Sequence, residues 1–433
     1  MSIILIWLYV VVNLYIAFRC YNKYLGVFEL PFLVSMTSIV LVVPSLFQIH
    51  KYYDIGADSF MTLPLILFVL CNYAFYYGFK KASKKTTVVR IVEDFDLSKG
   101  RFVVVLFAVV GLYATLMNRG VYQGGFVEGT YVILNFFTAY FTISMNMVFT
   151  CIYKRYRVPF YFYIIIIVAL YLQVEQFVNI ARRAQAMQTF ITCAFFYFLM
   201  HDASKYRKFK FIIPLVFIVG LFLNSQISSY RNNAYSKEVS VWDNISMLEL
   251  STPDKSVDVD FYGNEVHNAM IGINDISSRM SFDYGFYNWN EIIHDFVPKA
   301  IVGSEIKSSL TVVIGGSKHA EKLQSSGATM TGYYDAFSSF GIFGWIKFLI
   351  IGYLMGYFWR KRNTSVNYLL LYVCMFAPVM EIISHSSNYP ISRLIFYFVF
   401  IYPFINIAFY KKINDALNLR FFQKRKNRTY SLG

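Results

Sequence analysis

Eleven long apolar segments are the feature of this sequence that most limits its fold. A helix needs roughly 20 apolar residues to cross a hydrocarbon core about 30 Å thick, and the segments lack the apolar/polar alternation of barrel strands. With 57% hydrophobic and 15% charged residues, the chain also differs from soluble domains. We therefore predict an all-α, polytopic transmembrane helical protein. The segments cover residues 2–18, 27–49, 59–79, 101–117, 131–152, 158–176, 186–200, 209–227, 339–358, 366–385 and 389–410.

Basic residues are concentrated in every second connection between these segments. Of the 40 Lys and Arg residues, 26 fall in one set of connections, including seven between Lys80 and Arg101 and seven after Tyr410. The positive-inside rule places this set in the cytoplasm, so the N-terminus is predicted outside and the C-terminus inside. The net charge of +15 is thereby explained by topology, which excludes a nucleic-acid footprint.

The predicted spans divide the chain unequally. An eight-span bundle covers 1–227, a large outer loop covers 228–336, three further spans cover 337–410, and a basic cytoplasmic tail covers 411–433. Within the loop, apolar residues recur at helical spacing, which predicts short amphipathic helices lying at the membrane interface. The residues with this spacing are Val266, Met270, Ile273, Trp289, Ile292, Ile293 and Phe296.

Arginines near the outer ends of spans are the first candidates for function. Arg182 and Arg183 are adjacent in "NIARRAQAM", on the side that the charge bias otherwise leaves nearly free of basic residues. Adjacent helical residues project about 100° apart, so at least one of the pair should face the protein. Arg393 lies four residues into the last span. Single arginines at helix ends often extend to lipid phosphates, which is the structural alternative for each. Further outer cations are Arg231, Arg279, Lys299 and Lys307.

A general base is the second requirement of an enzyme at this face. His385 lies in the very short connection between the last two spans, and His294 lies on a predicted amphipathic helix. Asp335 enters the ninth span from outside, and Asp283 is a further carboxylate in the loop. A structural role remains the alternative for each of these residues.

Other chemistry has little support in the sequence. Lys347 and Glu381 lie within spans, where we expect them to pair with each other or with backbone. No nucleotide-binding or hydrolase motif is present. The five cysteines lie in or at the ends of apolar segments without a CxxC pair, so neither a disulfide framework nor a metal site is predicted.

The run "SGATMTGYYDAFSSFGIFGWIKFLIIGYLMG" resembles a segment of the Wzy-type O-antigen and capsular polysaccharide repeat-unit polymerases. That segment has TG, an acidic residue with an aromatic, then FG and a further glycine leading into a span. The acidic position, often Glu, is Asp335 here, and the RX10G pattern of some members is missing. The matching residues are Thr331, Gly332, Asp335, Phe337, Phe340, Gly341 and Gly344, with Pro298, Lys299, Gly303 and Lys307 upstream.

This resemblance implies a GT-C-like membrane glycosyltransferase that uses no cofactor. Its donor and acceptor would be undecaprenyl-diphosphate-linked oligosaccharides, on the outer side of a bacterial cytoplasmic (inner) membrane. Membrane lipids and a chain-length regulator protein would be its other partners. His385, His294 or Asp335 would take the acceptor proton. The residues expected to hold the diphosphate are Arg182, Arg183, Arg231, Arg279, Arg393 and Lys299.

Three other functions share some of these features. A transporter of lipid-linked oligosaccharides would also have many spans and a cationic cavity, although a loop of about 110 residues is unusual for alternating access. An O-antigen ligase would differ in its acceptor, a lipid A core. A non-catalytic scaffold would tolerate loss of the arginines.

Overall fold

The computed structural model describes most of the predicted spans and the central part of the large loop. The described residues are 1–23, 25–84, 93–96, 98–117, 130–153, 155–180, 211, 265–297, 299–312 and 330–411. The predicted spans at 186–200 and 209–227 therefore lie outside the described residues, except for residue 211.

Almost all of the described chain is helical, which confirms the predicted all-α class. The helices are α1 (Ser2–Tyr21), α2 (Leu30–Thr37), α3 (Val43–Tyr53), α4 (Ala57–Ser83), α5 (Lys99–Met117), α6 (Thr130–Tyr153), α7 (Phe160–Ile180), α8 (Glu265–Arg279), α9 (Phe286–Phe296), α10 (Lys299–Val302), α11 (Ser304–Ser309), α12 (Gly332–Phe340), α13 (Trp345–Lys361), α14 (Val366–Cys374), α15 (Phe376–Glu381), α16 (Tyr389–Phe396) and α17 (Tyr402–Ala408). Two short antiparallel strands, β1 (Glu93–Phe95) and β2 (Phe409–Lys411), pair with each other.

Six of these helical stretches are long and apolar enough to cross a membrane, so the chain is a helical membrane protein. Shorter apolar helices occupy Phe136–Ile152, Phe160–Leu172 and Val366–Glu381. The six membrane-length stretches are Ser2–Tyr21, Leu30–Tyr53, Ala57–Ser83, Lys99–Met117, Gly332–Lys361 and Tyr389–Ala408.

Two of the long stretches contain a π-helical turn. The turns cover Ser38–Val42 and Tyr397–Ile401, and each is followed within two residues by a proline, Pro44 or Pro403. Proline has no N–H to donate to the preceding turn and its ring crowds the carbonyl four residues earlier. A widened turn relieves that crowding and keeps the helix continuous.

Helices α4 and α13 pack closely along their lengths through glycines. Gly352 and Gly356 form a GxxxG pair on α13, and a Cβ at these positions would come within 2.2 Å of Phe75 O and 2.4 Å of Phe79 O. On α4, a Cβ at Gly78 would come within 2.3 Å of Leu349 O. Glycine is needed at all three positions because the two backbones touch.

A buried polar network fixes α1, α4 and α12 relative to one another. The Tyr333 hydroxyl donates to Asn72 Oδ1 over 2.8 Å and lies 3.0 Å from the Tyr9 hydroxyl. Asn72 Nδ2 lies within 3.2 Å of Tyr9 Oη, Asn13 Oδ1 and Ser38 Oγ. Each of these side chains is buried and hydrogen-bonded, as buried polar groups in a membrane must be. The network sets the position of α12, which carries Asp335.

The two predicted amphipathic helices of the large loop differ from each other. On α8, Val266, Met270 and Ile273 are buried against α3, α4 and α12, so the expectation that this apolar face lies at the membrane interface is wrong. Packing against these helices removes the apolar face of α8 from water, which is favourable. On α9, by contrast, Trp289 remains 47% exposed.

Candidate functional site

Asp335 lies at the centre of a polar site where the large loop meets the membrane helices. Its side chain is on the first turn of α12 and is only 5% exposed. Oδ2 accepts hydrogen bonds from Ser386 Oγ (2.6 Å) and from the backbone N–H of Ser387 (2.9 Å). Among the described residues, none donates a hydrogen bond to Asp335 Oδ1. Within the described part of the chain, Asp335 therefore keeps one carboxylate oxygen that can accept a proton or a hydrogen bond from a hydroxyl.

A glycine explains why the chain near Ser387 comes so close to α12. The N–H of Gly332 donates to Ile382 O over 2.8 Å. A Cβ at Gly332 would lie 2.8 Å from that same oxygen and 3.0 Å from Ser387 N. Only glycine allows this approach, so the "TG" of the motif is needed to place Asp335 against the connection between the last two spans.

Lys347 and Asp283 are two further buried charges around Asp335. The Lys347 ammonium, 8% exposed, donates to Asn288 Oδ1 on α9 over 2.7 Å and interacts electrostatically with Asp335, Asp283 and Glu291. The predicted pairing of Lys347 with Glu381 is therefore wrong, because the loop helix supplies its partner instead. Asp283 accepts from Gly285 N over 2.7 Å and from the Ser338 hydroxyl.

Glu291 is the third carboxylate, and it links α9 to the same connection. Its Oε1 accepts from the Tyr287 hydroxyl (2.8 Å) and its Oε2 from Asn388 Nδ2 (3.0 Å). Burial, together with the negative charge of Asp335, raises the pKa of Glu291 above its ordinary value. We call Asp283, Glu291 and Asp335 the carboxylate cluster. Lys347 interacts electrostatically with all three of these carboxylates.

Three polar atoms beside Asp335 have no hydrogen-bond partner in the described part of the chain. They are Thr331 Oγ1, Ser387 Oγ and Asn388 Oδ1, on side chains that are at most 3% exposed. Buried polar atoms are nearly always hydrogen-bonded, and each unpaired one costs about 1–3 kcal/mol. Because the three atoms lie within four residues of Asp335 or on the connection that bonds to it, this region is the candidate functional site.

His385 lies immediately before Ser386, on the edge of the site. Its backbone N–H donates to Glu381 O over 2.7 Å, and its Nδ1 lies 2.8 Å from Ser384 Oγ. The Tyr389 ring packs edge-on against the imidazole. The structure thus brings His385 and Asp335, two of the predicted bases, to the same short connection.

Arg393 lies on α16, just beyond the same connection. Its guanidinium stacks 4.6 Å from the ring centroid of Phe136 on α6. No carboxylate among the described residues pairs with it. Because the Phe136 ring also contacts Phe296 of α9, with centroids 5.2 Å apart, Arg393 lies where α6, α9 and α16 meet. The guanidinium hydrogen-bond donors are available to an anion.

The other predicted residues do not join this site or lie outside the described residues. His294 has a side chain 56% exposed and lies 3.5 Å from Asp295, and Lys299 is exposed. Arg279 pairs with Asp275 over 2.6 Å. The described residues do not include Arg182, Arg183 and Arg231.

Sequence reasoning missed the contributions of Glu291, Asn388 and Lys347. A signal existed for Lys347, because a charge within a span is costly and usually meets a partner or a functional site. Asn288 and Glu291 are three residues apart and so share one face of α9. Nothing in the sequence paired that face with Asn388, 97 residues away.

The arrangement can deprotonate a hydroxyl and can hold an anion nearby. Among the described residues, no donor reaches one carboxylate oxygen of Asp335, and no carboxylate pairs with the cation of Arg393. In the described part of the chain, no three His, Cys, Asp or Glu side chains are grouped to hold a metal ion. Comparison with known proteins gives no family model, no curated protein and no solved structure that matches this chain.

Proposed function

We propose that this protein joins undecaprenyl-diphosphate-linked oligosaccharide repeat units into O-antigen or capsular polysaccharide, on the outer side of a bacterial cytoplasmic membrane. The observation that carries the proposal is the position of Asp335. The segment that resembles the polymerases supplies a buried carboxylate with a free oxygen, and this carboxylate is bonded to the connection that leads directly to Arg393.

In the proposed reaction, Asp335 is the general base. Asp335 Oδ1 takes the proton from a sugar hydroxyl of the acceptor as that oxygen bonds to the anomeric carbon of the donor. The bond from the anomeric carbon to the diphosphate oxygen breaks, and undecaprenyl diphosphate leaves with both bonding electrons. The proton on Asp335 then passes to solvent. Arg393 neutralises the leaving diphosphate, with Arg182, Arg183 and Arg231 as further candidates.

The proposed topology has about 11 spans, the N-terminus outside and the C-terminus inside. Contacts within the structure support it by grouping connections assigned to the same side. Asn274 Nδ2 of the large loop donates to Phe60 O over 2.8 Å, near the outer α3–α4 connection. Strands β1 and β2 pair two segments that are both assigned to the cytoplasm.

Chain extension by the purified protein, supplied with lipid-linked repeat units, tests the proposal. The wild type should produce a ladder of longer glycans. Asp335→Asn keeps the size of the side chain but removes the base, and should lower kcat about 10²–10⁴-fold. A wild-type protein that transfers nothing, or an Asp335→Asn variant as active as the wild type, refutes the assignment.

Asp283→Asn is the matched control, since it removes a carboxylate from the same cluster. Donors already occupy both Asp283 oxygens, so this variant should extend chains nearly as fast as the wild type. Equal losses in both variants would show that the charge of the cluster matters and that Asp335 is not the base. Uptake of the oligosaccharide into vesicles without chain growth would support a transporter, and transfer to a lipid A core alone would support a ligase.

A further inference from the structure

A row of exposed apolar side chains runs along the turn before α9 and along α9 itself. Met280 is 71% exposed, Tyr284 69%, Phe286 46% and Trp289 47%. We call these four residues, three of which are aromatic, the aromatic ledge. Soluble surfaces rarely expose large apolar side chains in a continuous patch, so the ledge needs a partner that accepts them.

The backbone of the ledge is held in an uncommon conformation. Met280 has φ 52° and Tyr284 has φ 51°, both in the left-handed region, and Gly285 follows with φ 89°. Left-handed backbone is costly for residues with a Cβ and persists only where the surroundings enforce it. The exposed positions of Met280 and Tyr284 are thus determined by the fold.

The opposite face of α9 fixes the helix to the protein. Asn288 Oδ1 accepts from the Lys347 ammonium over 2.7 Å, and Glu291 Oε2 accepts from Asn388 Nδ2 over 3.0 Å. A helix anchored by its polar face cannot rotate to bury its aromatic face. The Trp289 indole N–H donates to Leu310 O over 2.8 Å, while about half of the side chain stays exposed. The exposed part of the ledge is therefore a fixed surface that no described residue covers.

The ledge continues onto exposed aromatic side chains of a membrane-length helical stretch. Phe340 and Phe343, at the junction of α12 and α13 within the membrane-length stretch Gly332–Lys361, are 48% and 62% exposed. A Cβ at Gly285 would lie 3.6 Å from Phe340 Cζ, and Asp283 N donates to Ser338 O over 2.9 Å. The turn before α9 thus lies directly against the junction of α12 and α13.

Cations accompany the ledge on both sides. Arg279 immediately precedes Met280 and has a side chain 42% exposed. Lys299 follows α9 and is exposed, and the Lys307 ammonium donates to His294 O over 3.0 Å. Aromatic rings beside Lys and Arg are the composition that membrane interfaces favour, because rings enter the headgroup layer and cations meet phosphates.

We propose that the aromatic ledge inserts into the lipid headgroup layer on the loop side of the membrane, so that α9 lies in the plane of the interface. Arg279 and Lys299, which do not reach the carboxylate cluster, contact lipid phosphates there. This inference concerns the resting contact with the membrane and does not depend on the proposed reaction. The continuity with Phe340 and Phe343 favours lipid over a protein partner.

Quenching of tryptophan fluorescence by brominated phospholipids tests the proposal in the full-length protein. Emission is compared for the wild type and Trp289→Phe, each reconstituted in ordinary vesicles and in vesicles of lipid brominated near the headgroup. The share of emission that Trp289 contributes should be lost in the brominated vesicles. Full retention of the Trp289 emission in the brominated vesicles would overturn the proposal.

Trp359→Phe is the matched control, because Trp359 is 4% exposed and lies at the other end of the Gly332–Lys361 stretch. The emission assigned to Trp359 should survive bromination. A second variant, Phe286→Trp in the Trp289→Phe background, returns a fluorophore to the ledge. Quenching should return with it, and an unquenched signal from the fluorophore introduced in this variant would also refute insertion.

Discussion

Replacing Gly352 by alanine should force apart the two helices at the centre of the membrane domain. The new Cβ would lie 2.2 Å from Phe75 O, which is 0.8 Å closer than the 3.0 Å limit of real Cβ contacts. The obstruction is backbone, so no side-chain rotation relieves it, and α4 and α13 must separate. This separation would also shift Asn72 and Lys347, which the two helices carry.

The expected loss of stability follows from two opposing effects. Overpacking a well-packed core costs about 1–3 kcal/mol, and a rigid backbone obstruction places Gly352→Ala at the upper end. Alanine is favoured over glycine in a helix by about 1 kcal/mol. The net destabilisation is therefore about 2 kcal/mol.

Thermal unfolding of the purified protein in one detergent measures this difference, with loss of helical circular dichroism as the signal. Gly56→Ala is the matched control, because nothing lies within 4 Å of a Cβ at that position. The control should stay within about 0.5 kcal/mol of the wild type. Equal stability of Gly352→Ala and Gly56→Ala would refute the view that glycine is required for the α4–α13 contact.

Three further predictions concern Glu291, Tyr333 and Arg393. Because burial raises the pKa of Glu291 in the folded protein, the folded state binds its proton more tightly than the unfolded state. Stability should therefore fall as pH rises from about 4.3, the unfolded value, through the folded pKa, and Glu291→Gln should flatten this slope in thermal unfolding measured across pH. Tyr333→Phe should lower the free energy of unfolding by about 1–3 kcal/mol, measured by denaturant unfolding, since Asn72 Oδ1 loses its donor. Arg393→Ala should reduce chain extension strongly, whereas Arg19→Ala, which removes an arginine stacked on a tyrosine at the opposite end of the protein, should not.

Span positions could be predicted closely because the evidence for them is local. The segments at 2–18, 27–49 and 101–117 correspond to helices Ser2–Tyr21, Leu30–Tyr53 and Lys99–Met117. Backbone polar groups must be satisfied within each segment in lipid, so an apolar run of sufficient length has a helix as its solution. The same local reasoning was wrong for the apolar face of α8, because a helical pattern does not say which surface it will meet.

The candidate site was predicted only in part. Asp335 and His385 were chosen from their positions at span ends, and the structure brings both to one connection. Arg279 and Lys299 were chosen as outer cations of the loop and His294 as a residue of a predicted loop helix, and they lie on the exposed surface of the loop. Sequence gives the depth of a residue relative to the membrane, but not the direction in which its side chain points.

By itself, the sequence determined that this chain is a helical membrane protein and indicated which charged residues lie near the ends of its spans. Only the tertiary structure decided that Asp335, Glu291 and Lys347 meet, since the contacts that join them cross 52 to 97 residues of chain. The physical reason is that apolar length is a property of one segment, whereas hydrogen bonds between buried polar groups depend on how close the helices come. Gly332 decides that approach, since its lack of a side chain lets Ser387 reach the carboxylate of Asp335.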